Sequence, residues 1–197
     1  MDLYIQNGIN IIPVIGVDYS LANLTFDETQ YCNHTIQGPN DYFDCLTSVQ
    51  KGFNYFSRFT LAYGFGARTF LNDDGPACNL FSMSGDFMAP YVENVSESYA
   101  KTLKSVKLSL PVMYKSIIKI VCDLAQDELG SEKTGNDIED IQKVKNYYVL
   151  TLLMAGMIDD FKDALNEMLR AANLPISIIV VKIGKNTEEN DSEKFMK

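Results

Sequence analysis

Histidine and tryptophan are nearly missing from this chain, and basic side chains are outnumbered. There is one histidine, His34, and no tryptophan. The four cysteines (Cys32, Cys45, Cys78 and Cys122) form no CxxC pair. A zinc site of ordinary spacing needs several such ligands, so structural zinc is excluded. A nucleophile dyad needs a base beside a serine or cysteine, and His34 is the only histidine to serve. His34 lies in a polar stretch and reads as a surface residue that titrates near neutral pH.

Positive charge is also scarce: 17 Lys and Arg stand against 26 Asp and Glu, a net charge of −9. No basic cluster offsets that balance, which speaks against nucleic-acid backbones and against electrostatic adsorption to anionic lipid. No apolar stretch approaches the roughly 18 residues of a membrane span, so direct membrane insertion is not expected. Met1-Asp2-Leu3-Tyr4 lacks the basic start of a signal peptide. Reduced cysteines in a cytoplasmic or otherwise intracellular protein follow. The glycosylation-type triplets at Asn23, Asn33 and Asn94 are then chance occurrences.

What remains is ample material for a core. The 197 residues are 46% hydrophobic and include 11 Tyr and 11 Phe, which suits one globular domain. Ile11-Ile12-Pro13-Val14-Ile15-Gly16-Val17 is an almost unbroken apolar run that ends in Asp18-Tyr19-Ser20. Buried parallel strands have this character, and ligands of open α/β sheets sit beyond their carboxyl ends. Asp18 and Ser20 are therefore the first candidates for chemistry.

After a lead-in over 1–8, the first strand is predicted at about 9–17 and a long polar loop at 21–39. Asn40-Asp41 cap a helix whose Tyr42, Leu46, Val49, Phe53 and Phe56 recur at helical spacing. Phe59 to Tyr63 is a second buried strand, followed by Gly64-Phe65-Gly66-Ala67-Arg68. That glycine pair lacks the third glycine and the Lys-Ser/Thr of a phosphate loop, and reads as a tight strand exit. Asn72-Asp73-Asp74-Gly75-Pro76 is a turn cluster, and Cys78 to Met83 a short edge strand.

A weaker helical pattern runs from Met88 to about Leu103 with Pro90 near its start. Pro111 is placed in the first turn of the next helix, which points Tyr114, Ile117, Ile118, Val121, Leu124 and Ala125 inward. Residues 130–146 read as an exposed charged insertion. Tyr147 to Met154 is a strong strand. Asp159 and Asp160 begin a helix with Phe161, Ala164, Leu165, Met168, Leu169 and Ala172 on one face. Pro175 to Lys182 is the last strand, closed by Gly184, and 185–197 form a polar tail. Strands alternating with helices predict an α/β fold: a doubly wound, mainly parallel sheet flanked by helices.

Several blocks resemble the copine-type A domain, a variety of the von Willebrand factor A fold with Rossmann-type topology. They are Gly8-Ile9-Asn10 with Val17-Asp18-Tyr19-Ser20, Gly38-Pro39-Asn40-Asp41-Tyr42, and Tyr63-Gly64-Phe65-Gly66-Ala67-Arg68. Downstream come Tyr148-Val149-Leu150 with Ile158-Asp159-Asp160, and Leu174-Pro175-Ile176-Ser177-Ile178-Ile179-Val180-Val181 with Ile183-Gly184. The resemblance covers residues 8–184, so 1–184 is expected to be the A domain and 185–197 a tail. It implies a metal-ion-dependent adhesion site, in which oxygen ligands from three loops hold Mg²⁺ or Ca²⁺.

Carried over by position, Asp18 and Ser20 match that site. Ala22 stands where a second hydroxyl belongs, Val112 where a threonine belongs, and Ala155 where the strand-ending aspartate belongs. A residual metal site at Asp18 and Ser20 without function, and no cofactor, is therefore the expectation; weak Mg²⁺ or Ca²⁺ binding is the alternative. Family members carry C2 domains and a further strand and helix, neither of which is read here.

The function expected is a non-catalytic protein-interaction or structural module, a subunit of a larger assembly that has lost metal-dependent recognition. The alternative is a Mg²⁺- or Ca²⁺-dependent adaptor in membrane or signalling complexes. A protein partner is expected on the loops at the strand ends, with Tyr19, Val112, Met113, Tyr114 and Met157 as contact candidates.

Overall fold

The apolar run after Ile9 forms β1 (Asn10–Asp18), with every residue from Pro13 onward buried. In the computed structural model, the described residues are 8–24, 32–35, 40–69, 77–129, 144–156 and 158–184. The turn at 72–76, Gly38-Pro39, Met157, the tail 185–197, most of the lead-in and most of the 130–146 insertion lie outside them. At the end of that insertion Val144 is buried and Asn146 already belongs to a strand.

β1 lies at the centre because both of its edges are taken. It pairs in parallel with β2 (Thr60–Phe65) on one side and with β7 (Asn146–Met154) on the other. β7 pairs in parallel with β8 (Ile176–Lys182), the last strand on that side among the described residues. On the far side, β4 (Phe81–Ser82) and β5 (Tyr91–Val92) pair antiparallel with β2. β3 (Ala67–Thr69) and β6 (Val106–Leu108) make a separate antiparallel pair. The sheet is mainly parallel with helices on both faces, as the alternating pattern predicts.

Side chains alternate across the strands, and a core forms on each face of the sheet, with a third, smaller cluster of Ile9, Ile11, Val144, Tyr147 and Val149. Val14, Leu61, Phe65, Leu150 and Leu152 face α3 (Lys115–Leu129) and α4 (Phe161–Ala171). Ile15, Val17, Tyr19, Ala62 and Leu153 face α1 (Asp41–Phe53) and α2 (Val95–Leu103). α1 begins as the sequence predicts: Asn40 Oδ1 accepts from the Phe43 N–H at 3.1 Å. Tyr42 and Leu46 are buried on its inner face, but Phe56 lies beyond the helix and is about half exposed.

Other predicted elements differ. Cys78 contributes only an isolated bridge to Ala67, leaving β4 two residues long. The helix predicted from Met88 begins at Val95, because Tyr91 and Val92 pair with β2 and Asn94 caps the helix through the Glu97 N–H at 3.0 Å. Pro90 therefore precedes a strand. Pro111 follows a cis bond from Leu110 and lies ahead of α3. α4 buries Ala164 and Ala171, whereas Phe161, Leu165 and Leu169 are exposed. Small alanines let α4 seat on α3, which turns the larger residues of the predicted face outward.

Candidate functional site at the strand ends

Because β1, β2, β7 and β8 are parallel, their carboxyl ends meet on one side of the molecule. Asp18 ends β1, Phe65 ends β2 and Met154 ends β7. The loops that leave β1, β2 and β7, with the segment that follows β6, bring together 18–24, 65–67, 109–114, 154–156 and 158–160. The Tyr19 N–H donates to the Phe65 carbonyl at 2.8 Å, and the Leu21 N–H to the Ser109 carbonyl at 2.9 Å. Gly66, at φ +76°, brings its backbone against Ser20, where a Cβ would lie 2.8 Å from the Ser20 Cβ.

Asp18 is fully buried and its carboxylate is occupied. Oδ1 accepts from the Ser20 N–H at 2.8 Å, and Oδ2 accepts from the Ala155 N–H at 3.2 Å. Burial raises its pKa and hydrogen bonds from Ser20 and Ala155 pull the other way. The side chain thus fastens the end of β1 to the loop after β7. Ser20 Oγ accepts from the Ala22 N–H at 3.3 Å and caps a short 3-10 turn, Leu21–Asn23. A Cβ at Gly156 would fall 2.4 Å from the Ala22 Cβ, so the first and third loops touch at this point.

Beneath Asp18 lies a layer of aromatic and amide side chains that spacing alone did not disclose. His34 is buried, not on the surface: its ring stacks on Tyr42 at 4.3 Å and on Tyr19 at 5.2 Å. Its Nε2 is 2.8 Å from the Asp18 carbonyl oxygen, which only accepts, so Nε2 carries the proton. Nδ1 then accepts from the Tyr99 hydroxyl at 2.8 Å. Burial lowers the His34 pKa to about 4, leaving the ring neutral at physiological pH. Asn23 donates to the Asp18 and Ser20 carbonyls at 2.9 and 3.1 Å and accepts from the Tyr42 hydroxyl at 2.8 Å. His34, Tyr42 and Tyr99 have their polar side-chain atoms paired within the fold, whereas the buried Tyr19 hydroxyl has no hydrogen-bond partner.

The second and third loops are joined by carboxylates. Asp159 Oδ2 accepts from the Val112 N–H at 2.7 Å, and the Asp159 N–H donates to the Val112 carbonyl at 2.9 Å. Asp160 accepts from the Tyr114 and Lys115 N–H groups, each at 2.9 Å. Its side chain makes no cap bond in its own helix, α4. It caps α3 instead, a tertiary use of a residue whose position suggests a local one.

The contact candidates are correspondingly revised. Tyr19, Val112 and Tyr114 are buried and form part of the core; Tyr114 packs edge-on against Phe65 at 4.9 Å. Met113 is half-buried, and Met157 lies outside the described residues. Leu110, which the spacing did not single out, is 53% exposed on the same rim. Among the described residues, no group of three or more His, Cys, Asp or Glu is placed to hold a metal ion. Among them too, no helix is long and apolar enough to cross a membrane.

Comparison with known proteins agrees with this architecture. A family model described as Copine matches residues 32–196. Two relatives from Arabidopsis thaliana, Protein BONZAI 2 and Protein BONZAI 1, are each 24% identical to the chain over 204 residues. Each alignment takes in 97% of this chain but 32% of the relative, so the chain spans about a third of the length of these proteins. Four parallel strands ending in one loop cluster, with a family match across most of the sequence, identify the chain as a member of the copine family.

Proposed function

We propose that the chain is a non-catalytic protein-interaction or structural module, which recognises its partner without a divalent cation. The observation that carries this reading is the state of Asp18, whose two carboxylate oxygens accept from the Ser20 and Ala155 N–H groups. A cation at the strand ends needs several oxygen atoms free to turn toward it. Asp18 is the one carboxylate at the family position, and with one backbone N–H on each oxygen it keeps a single further lone pair on each, too few for a cation without other side-chain oxygens. Ser20 Oγ caps the following turn, and Ala22, Val112 and Ala155 have no side-chain oxygen. The residues present do not fit a metal-ion-dependent adhesion site.

Membership of the copine family supports a role in protein–protein contact, and the net charge of −9 speaks against a nucleic-acid partner. The rim of the strand ends offers Leu110 and Met113 to such a partner. The non-catalytic reading is supported by the single histidine, which is enclosed by Tyr19, Tyr42 and Tyr99.

The test is a pull-down of the tagged chain from its native source, run in parallel with chelator and with Mg²⁺ or Ca²⁺. Identical partners at identical yield in both arms are expected. Partners that disappear on chelation, and with Asp18→Ala, would reverse the reading toward a cation-dependent adaptor.

A further inference from the structure

We propose that Ser84–Ala89 is a preformed docking knob, whose Phe87 and Met88 enter an apolar, basic-rimmed pocket of a partner protein. The Met83 N–H donates to the Ala62 carbonyl at 2.9 Å, and the Ala62 N–H donates to the Pro90 carbonyl at 3.0 Å. β4 and β5 are thus one edge strand beside β2, interrupted opposite Ala62 by a projection of six residues. Met83 and Pro90 at its root are buried, whereas every residue from Ser84 to Ala89 is exposed. This role rests on the protein-interaction reading and uses the sheet edge, not the strand ends.

The projection is braced from within. Gly85 turns at φ +87°, a conformation that suits glycine. Ser84 Oγ accepts from the Asp86 N–H at 3.1 Å. It lies 2.9 and 3.0 Å from the Ala89 and Asp86 carbonyl oxygens, to which its proton is donated. Asp86 Oδ1 accepts from the Met88 N–H at 2.9 Å, and Ser82 Oγ from the Ser84 N–H at 3.1 Å. Because these residues are exposed, the bracing organises a surface and not the core.

What the bracing holds out is apolar. Phe87 is 52% exposed and Met88 88%, and Tyr91 at the root of the loop is 59% exposed. Single exposed apolar side chains are ordinary. An aromatic ring and an adaptable thioether side by side on a fixed tip have the composition of an interface anchor. A tip already ordered before binding loses little conformational freedom when a pocket closes on it.

Charge selects the partner. From Ala77 to Ala100 there is no Lys or Arg, but there are Asp86, Glu93 and Glu97. Glu93 is paired with Arg58 and Glu97 with Lys101. Asp86, beside the tip, has no cationic partner among the described residues, and a basic group on the rim of a protein pocket would supply one. A bilayer fits less well: inserting Phe87 and Met88 would carry the Asp86 carboxylate of a −9 chain against anionic headgroups.

The test starts from a pull-down with the tagged full chain, after which the captured protein is purified and rebound. Phe87→Ser with Met88→Ser should weaken that binding at least about tenfold, with circular dichroism and melting unchanged. Should this variant fail to fold, Met88→Glu takes its place. Ser84→Ala keeps both apolar side chains and should weaken binding several-fold through lost bracing. In the complex, Met88 should resist the peroxide oxidation that modifies it in the free chain. Binding that these substitutions leave unchanged, or a complex in which Met88 oxidises as fast as in the free chain, overturns the proposal. Binding lost with Leu110→Ser but kept by the Phe87 and Met88 variant overturns the knob and leaves the interaction reading standing; capture of nothing overturns both. Association with phosphatidylcholine vesicles, or a mass that doubles with concentration, overturns it in favour of a bilayer or a second copy if Phe87→Ser with Met88→Ser abolishes that association.

Discussion

Asp18 and His34 carry most of the polar organisation at the strand ends, and each is held through the backbone. Asp18→Ala would leave the Ser20 and Ala155 N–H groups buried without an acceptor. The expected loss is about 2–4 kcal/mol in chemical denaturation, the same with chelator as with Mg²⁺. His34 gives a prediction in pH. Its folded pKa is about 4 and its unfolded value near 6.5. Between those values the unfolded chain binds more protons, so stability falls as pH drops from 6.5 to about 4 and His34 contributes no further slope below that. The loss from this residue approaches about 3 kcal/mol. Asp18, with its raised pKa, acts in the opposite sense as it protonates, so the wild type must be compared with His34→Gln. Urea denaturation across pH 7 to 4 should show a steeper decline for the wild type; parallel declines would contradict the assignment.

At the scale of elements, the loops are fixed by contacts between segments far apart in sequence. Asp160 caps α3 from the start of α4, so Asp160→Ala should cost about 1–2 kcal/mol. The loss should appear first as faster amide exchange at Tyr114 and Lys115. Gly156→Ala drives a methyl group into Ala22 and should destabilise by about 1–3 kcal/mol, measured by thermal melting. Both effects explain what could be read in advance. β1, β2, β7 and the cap of α1 were legible because apolar runs and Asn40 act through near neighbours. The use of Asp160 was not, because a carboxylate at a helix start looks the same whether it caps its own helix or the next one. Tyr91 and Val92 were misplaced in a helix for a similar reason: their pairing with β2 depends on residues about thirty positions earlier.

For the molecule as a whole, the mainly parallel sheet flanked by helices followed from the alternation of strands and helices, while the interior of the candidate site did not. His34 looked solvated because its neighbours in sequence are polar. It is buried because the Asp18 carbonyl and the Tyr99 hydroxyl, remote in sequence, satisfy both ring nitrogens. The positions of Ala22, Val112 and Ala155 were legible as departures from a metal-site pattern; the closure of Asp18 by backbone N–H groups required the fold. Restoring oxygen ligands with Ala22→Ser, Val112→Thr and Ala155→Asp together tests whether the loops keep room for an ion. The contact between Ala22 and Gly156 predicts little or no cation affinity in a folded triple variant, and a clear gain would show that the loops open readily.

The central claim is that the strand ends are closed by the chain's own hydrogen bonds. Titration calorimetry of the unaltered chain with Mg²⁺ and with Ca²⁺ tests it most directly. Heats indistinguishable from dilution with both ions are predicted. Saturable binding that Asp18→Ala abolishes in a folded protein would contradict the account.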